Sequence, residues 1–367
     1  MPLIILGIVV VLFIFFHNYV YKRLWDKGLK YRVYFSTNEA FEGEILYLHE
    51  ELINSKILPL PWVYVSMYVP QNLVLENDSN NSLYSIMMNT SIKRKKVFTC
   101  KQRGVYRISN IQLTVSNLLH TAYFGKGMRH KNELLIFPKI LSHFETVDLL
   151  LKQLDSVVLT NKIANPDPFE FKGIRDYQVG DALKAINFRA SAISQKLMVN
   201  IHAPTCAQKL VLVLNVEDFG ENAITSVALH EQSIRLCATL AQHYIEMDTN
   251  VGFVTNGKDS YTTESIDLSS GASIGHLYSI FECLARMSLN FKIQPMAEYM
   301  QNITDKEQMY VFISPNHDEH FMMAFNALAS QGIAAFLVIP AFDDMETKVE
   351  DTHKIALWNA GARVEQL

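Results

Sequence analysis

The chain has 367 residues, of which 49% are hydrophobic and 19% charged, and a formal net charge of −4. That apolar content supports packed cores and excludes a disordered protein, and the length allows two or three domains. The near-neutral balance provides no basic field for nucleic acid, and no nucleic-acid partner is expected.

The chain opens PLIILGIVVVLFIFFHNYVYKRLWDKGLKYR. Leu3 to Phe16 carries no polar side chain, and extension through Val20 or Tyr21 reaches roughly one membrane span. His17 and Asn18 fall near the interface, with Tyr19, Tyr21 and Trp25 as an aromatic belt. A cleaved signal peptide would need a basic start and a small-residue cleavage site, and neither is present. An uncleaved anchor over residues 1–24 is therefore expected. Lys22, Arg23, Lys27, Lys30 and Arg32 follow it, so the expected topology is single-pass, N-terminus outside and the following domains cytoplasmic.

Residues 31–140 alternate apolar and polar in short runs: Ile45 to Leu48, Trp62 to Val69, Gly104 to Ile108 and Ile111 to Val115. Pro59, Pro61, Asn77 to Asn81 and Gly125 to Gly127 are read as turns between them. This pattern predicts a β-sandwich. The basic run Lys93-Arg94-Lys95-Lys96 is read as a solvated strand edge guarded against aggregation.

A connector over residues 141–205 contains a predicted short helix, Phe144 to Leu154, and a strand, Gln195 to Ile201. From 206 to 367 the period changes. Leu210 to Leu214 is a strand buried on both faces. Ile234, Cys237, Ala238, Ala241 and Ile245 recur at helical spacing. A strand Asn250 to Thr255 ended by Asn256-Gly257, a helix carrying Ile274, Leu277, Phe281 and Leu284, and a strand Met309 to Ile313 follow. A helix from Asp318 to Ser330, a strand Ala334 to Ile339 and a last strand near Ala362 to Glu365 complete the pattern. Strands alternating with helices predict a doubly wound, mostly parallel sheet with helices on both faces. Cys100, Cys206, Cys237 and Cys283 are scattered, with neither zinc spacing nor a disulfide framework, which fits a reducing compartment.

Such sheets bind ligands beyond the carboxyl ends of their strands. After Leu214 the chain reads Asn215-Val216-Glu217-Asp218-Phe219. A Mg²⁺ site like that of von Willebrand factor A domains needs Asp-x-Ser-x-Ser there, supplying hard oxygen ligands from one loop. Asn215, Glu217 and Phe219 stand at those places, so the loop is a degenerate metal site in which only Glu217 and Asp218 remain acidic. No metal or other cofactor is expected. His317 and His320 are spaced to share a metal, but Asn316 or Asp318 as a helix N-cap accounts for that stretch. No phosphate loop, dinucleotide fingerprint or nucleophile elbow occurs.

The most distinctive stretch is FEFKGIRDYQVGDALKAINFRASA, from Phe169 to Ala192. Gly180 beside Asp181 is read as a turn leading into a helix Ala182 to Ala192 capped by Asp181. Arg175 can fork onto a carboxylate or onto exposed carbonyls. The stretch is read as a hydrogen-bonded corner; the alternative is a cation-dependent hydrolase using Arg175, Asp176 and Asp181.

Glu170, Gly173, Arg175, Tyr177, Gly180-Asp181, Ile186 and Ser191-Ala192, with Asp176, Asn187 and Arg189 among them, resemble the signature of the domain-of-unknown-function 58 family. Phe188 stands for the usual Trp, Asn187 for an Asp or His, and Ile193 for the final Arg. The resemblance implies a membrane segment, a β-sandwich, the motif and a C-terminal domain similar to von Willebrand factor A. It further implies work beside a MoxR-type AAA+ ATPase at the membrane. The expectation is a membrane-anchored, non-catalytic interaction or scaffold protein linked to envelope or stress functions, with the motif residues structural or partner-binding.

Overall fold

The computed structural model describes residues 2–70, 73–75, 80–141, 145–164, 166–179, 183–204, 209–219, 223–289, 293–345, 352 and 354–361. The chain divides into two compact units, Met1–Lys139 and Ile140–Leu367.

The first unit begins with helix α1 (Pro2–Leu24), which is long and apolar enough to cross a membrane or to serve as a signal sequence. Strands β1 (Leu29–Phe35), β2 (Glu39–Phe41), β3 (Ile45–Asn54), β4 (Leu60–Met67) and β5 (Leu73–Leu75) follow. Then come β6 (Asn81–Ile86), β7 (Thr90–Cys100), β8 (Gly104–Ser116) and β9 (Tyr123–Phe137). Among the described residues they form two sheets, ordered β1-β3-β7-β5 and β2-β9-β8-β4-β6. Period-2 alternation turns Leu46, Leu48 and Leu52 of one sheet and Val63, Val65, Leu113 and Val115 of the other into a shared core. This is the expected β-sandwich. Tyr21 and Trp25, at the end of α1 and just beyond it, are buried in that same core.

Several local expectations change. The two predicted strands between Gly104 and Val115 are one strand, β8, whose register slips between Ile108 and Asn110. Gly125 and Gly127 lie inside β9 rather than in a turn, because their backbone pairs with Thr114 and Gln112. The basic run is only partly a solvated edge. Lys93, Arg94 and Lys95 are exposed, but Lys96 points inward and its side chain is fully buried against Glu50.

The second unit contains α2 (Glu145–Ala164), β10 (Pro166–Asp176), a 3-10 turn (Leu183–Ala185), α3 (Phe188–Ser194) and β11 (Met198–Pro204). Then follow β12 (Lys209–Leu214), α4 (Ala223–Glu246), β13 (Asn250–Asp259), β14 (Ser265–Gly271), α5 (Ile274–Arg286) and β15 (Met287–Ser288). Helix α6 (Met296–Gln301), β16 (Gln308–Ile313), α7 (Glu319–Ser330), β17 (Ala334–Ala341) and β18 (Ile355–Asn359) complete it. The main sheet runs β14-β13-β12-β16-β17-β18, with β13, β12, β16, β17 and β18 parallel and β14 antiparallel at the edge. Val211, Val213, Phe312 and Leu337 pack beneath α6 and α7. Alternation sends Leu210, Leu212 and Leu214 the other way, and α4 and α5 pack on each other and on β13.

The connector helix α2 is longer than predicted, and β11 starts at Met198 rather than Gln195. Asn256-Gly257 does not end β13. The strand continues to Asp259, and a Cβ at Gly257 would come within 2.6 Å of Met287 Sδ, so a larger residue there would have to displace the Met287 side chain. The strand expected near Ala362 to Glu365 lies outside the described residues; the last described strand is β18.

Candidate functional site

The sheet order places the topological switch between β12 and β16, where open α/β sheets form their ligand crevice. Asn215 follows β12 and Ser314 follows β16. Asn215 is 1% exposed and its side chain is fully engaged. Nδ2 donates to Glu217 Oε2 at 3.0 Å and to Ser314 Oγ at 2.9 Å. Oδ1 accepts from Asn256 Nδ2 at 2.7 Å and from the Glu217 N–H at 3.1 Å. A side-chain amide has two donors and two lone pairs, so its capacity is used, and acceptors on one side with donors on the other fix its orientation.

Glu217 is the second hub. Its carboxylate also accepts from the Met296 N–H at the start of α6, at 2.8 Å, and from Asn316 Nδ2 at 3.5 Å. Asn256 ties in from β13, accepting the Val216 N–H at 3.0 Å and donating to the Gln294 carbonyl at 3.1 Å. Ser314 Oγ donates to the Asn316 carbonyl. The network therefore joins the ends of β12 and β16, and Asn256 within β13, to α6. A cation in such a crevice would bridge oxygens from several loops. Here the Asn215 amide makes those links, and its N–H groups face the oxygens that a cation would need.

Asp218 is exposed and accepts from Ser226 Oγ at 3.4 Å. Ser226 Oγ also lies 3.1 Å from His230 Nε2, and Phe219 packs edge-on to the His230 ring at 5.8 Å. Burial pushes the His230 imidazole down to about 4, against the opposing charges of Asp218 and Glu231. Asp318 caps α7, accepting from the Phe321 N–H at 2.8 Å, and His317 Nδ1 lies 2.9 Å from the Pro315 carbonyl oxygen. Among the described residues, no group of three or more His, Cys, Asp or Glu side chains is placed to hold a metal.

The motif stretch folds into β10, the 3-10 turn and α3, packed on β11. Arg175 Nη1 donates to the Asp176 carbonyl at 3.0 Å, and the Tyr177 N–H donates to the Leu197 carbonyl at 2.8 Å. Asp176 and Arg189 are exposed, while Gly173 and Tyr177 are half-buried. Gly180 and Asp181 lie outside the described residues. The helix of this stretch is Phe188–Ser194, and its cap is Asn187, not Asp181. Asn187 Oδ1 accepts the Ala190 N–H at 2.9 Å, and its Nδ2 donates to Asn200 Oδ1 at 2.8 Å. Ser191 Oγ accepts the Met198 N–H at 2.8 Å, locking α3 to β11. Asn187 and Ser191 turn towards β11, and several large apolar side chains stand outward. Phe188 is 76% and Ile193 79% exposed, and Leu183 and Leu197 are exposed beside them.

The sandwich core also holds a polar cluster that no sequence motif marks. Glu50 on β3 and Lys96 on β7 have fully buried side chains 3.3 Å apart. Across the sandwich, Tyr84 donates to the Glu50 carboxylate, and Ser82 donates to it at 3.1 Å. Burial and the Glu50 charge push the Tyr31 and Tyr84 phenols far up, so they remain neutral. The signal was alternation: Glu50 shares the inward phase of Leu48 and Leu52, and Lys96 that of Phe98 and Cys100.

No family model matches the chain, and no curated protein matches it. Solved structures share short stretches of architecture. A non-cellulosomal cohesin from the archaeon Archaeoglobus fulgidus is 12% identical, with 29% of this chain and 91% of that one covered and a TM-score of 0.20. The CARDB domain of a Pyrococcus furiosus protein, solved in complex with di-metal ions, is 15% identical, with 30% and 94% covered and a TM-score of 0.22. The Bacillus subtilis sporulation control protein Spo0M is 9% identical, with 41% and 58% covered and a TM-score of 0.18. Similarity this low assigns no function; the sandwich rests on the strand pairing of the chain itself.

Proposed function

We propose that this protein is a membrane-anchored, non-catalytic interaction protein of the domain-of-unknown-function 58 type, docking a MoxR-type AAA+ ATPase in an envelope- or stress-related assembly. The observation that carries the proposal is the motif stretch. Its Asn187 and Ser191 side chains hold α3 to β11, while Phe188 and Ile193 stand in solvent on that hydrogen-bonded frame. A large exposed apolar patch on a rigid element marks an interaction surface.

Retention of α1 as an anchor is supported by the lack of a small-residue cleavage site after its apolar run and by Tyr21 and Trp25, which tie the end of the helix into the sandwich core. The cytoplasmic placement of the domains is supported by Lys22, Arg23, Lys27, Lys30 and Arg32 immediately after the helix. A von Willebrand factor A-like reading of the second unit is supported by its sheet order and by the position of the Asn215 loop at the switch point. In this reading the loop has exchanged a cation for an amide network.

The test is affinity capture of the full-length tagged protein from detergent-solubilised membranes, with mass spectrometry of the retained proteins. Wild type should retain an AAA+ ATPase of the MoxR type, and a Phe188→Asp/Ile193→Asp variant should lose it. Absence of the ATPase from wild type, or its undiminished capture by the variant, would overturn the proposal.

A further inference from the structure

We propose that the β8–β9 hairpin tip is a second membrane-inserting element, which dips Leu118 and Leu119 into the bilayer beside α1. The inference rests on the reading that α1 crosses the membrane and stays attached.

It begins with a mismatch of lengths. The uninterrupted apolar part of α1 ends at Phe16, so from Pro2 it rises only about 22 Å at 1.5 Å per residue. A bilayer core is about 30 Å thick and takes about 20 helical residues. The boundary therefore falls in the next turn, from His17 to Tyr21.

That turn is the part of the helix that the sandwich grips. Asn117 Nδ2 donates to Asn18 Oδ1, and Thr121 Oγ1 donates to the same oxygen at 2.9 Å. Asn117 Nδ2 also lies 3.5 Å from His17 Nδ1. About one turn further on, Tyr21 donates to the Pro59 carbonyl at 2.9 Å. The hairpin tip thus holds the helix at the level of Asn18, and the Pro59 loop holds it at Tyr21. Asn18, Asn117 and Thr121 satisfy one another at this depth, while His17 Nε2 is buried without a hydrogen-bond partner.

The tip is closed from within. Asn117 is fully buried, and its Oδ1 accepts the Thr121 N–H at 2.8 Å and the Ala122 N–H at 3.4 Å. The His120 N–H donates to the Asn117 carbonyl at 3.1 Å, and His120 Nδ1 lies 2.9 Å from Ser116 Oγ. Leu118 and Leu119 make none of these closing side-chain bonds and occupy the outer corner, 54% and 43% exposed. Turn corners favour Gly, Asn, Asp, Pro or Ser, so two leucines there are unexplained by the turn and explained by lipid. Lys22, Arg23 and Lys27 follow at headgroup depth, where they complement anionic lipid.

The test uses full-length protein in vesicles of phosphatidylcholine and phosphatidylglycerol, with Cys206 and Cys283 replaced by Ser. Single sites Phe13→Cys, Leu118→Cys, Leu119→Cys and Tyr68→Cys are labelled with an environment-sensitive fluorophore. Tyr68, beside Asn110, is a distant reference, since seven strand residues from Asn110 to Asn117 rise about 23 Å. Nitroxide lipids should quench Phe13, and quench Leu118 and Leu119 at least twofold more than Tyr68. If Phe13 is quenched while both leucine sites behave like Tyr68, the hairpin proposal is overturned and the anchor reading stands. If Phe13 is not quenched, the anchor reading fails and the hairpin proposal fails with it.

Discussion

Asn215 and Glu217 hold each other in both directions: the Asn215 amide donates to the Glu217 carboxylate at 3.0 Å and accepts the Glu217 N–H at 3.1 Å. This reciprocal pair sits where a cation site of the sheet would be, and it makes the loop self-sufficient. Asn215→Asp removes both donors and sets a second carboxylate beside Glu217. The variant should lose about 2–4 kcal/mol of stability, the scale of an unsatisfied buried charge. Millimolar Mg²⁺ or Mn²⁺ should restore part of the loss in the variant and leave the wild-type melting temperature unmoved, because a ligand stabilises only the fold it binds. Thermal scans with and without chelator check both outcomes. A cation-dependent shift in wild type would revive the hydrolase reading.

Asn187 joins two elements, capping α3 through Ala190 and reaching Asn200 on β11. Asn187→Ala should cost about 1–2 kcal/mol locally, as lost N-caps do. The expected signature is faster hydrogen exchange at the Ala190 and Met198 amides, with the main sheet unaffected. Uniform exchange across the unit would show that the motif is welded into the global fold.

The buried pair of Glu50 and Lys96 predicts an asymmetric mutational response. Lys96→Met strands an ionised carboxylate in the sandwich core and should cost about 3–5 kcal/mol. Adding Glu50→Gln to Lys96→Met should recover part of that, because the amide still accepts from Tyr84 and Ser82 without a charge. Urea unfolding of the two variants and the parent measures the coupling.

His230 predicts a pH dependence. Its folded value of about 4 lies below the ordinary 6.5, so the unfolded chain binds the proton first. Its contribution is fully present above pH 6.5 and is lost as the pH falls towards 4, by at most about 1.4 kcal/mol per pH unit. His230→Gln should flatten that slope. The difference between wild-type and variant stability from pH 7 to 4.5 isolates His230 from the carboxylates that titrate in the same range.

Thiol reactivity provides a simple check of both cores. Cys100 and Cys237 are fully buried, and burial pushes the Cys100 thiol up to about 12. Native protein should leave both unlabelled by iodoacetamide, and denaturant should expose them.

Apolar length and alternation made much of the architecture readable. Leu3 to Phe16 announces a helix that spans or targets, and the alternating runs before Pro138 announce a sandwich. Asp318 was legible as a cap because its N–H partner is only three residues away. The Asn187 cap was missed because Gly180-Asp181 offers the same local signal earlier in the chain. Ser191, by accepting the Met198 N–H, holds the helix that Asn187 caps against β11.

The sequence by itself determined what depends on neighbours along the chain: the apolar helix, the strand periods and the absence of known catalytic motifs. Only the tertiary structure decided which polar residues meet. Glu50 finds Lys96, Asn215 finds Asn256 and Ser314, and Asn18 finds Asn117 through strand register and helix docking. These partners are far apart in the chain, and no local pattern encodes their pairing. Buried polar groups must be satisfied, so the fold had to bring each of them a partner once burial had removed water.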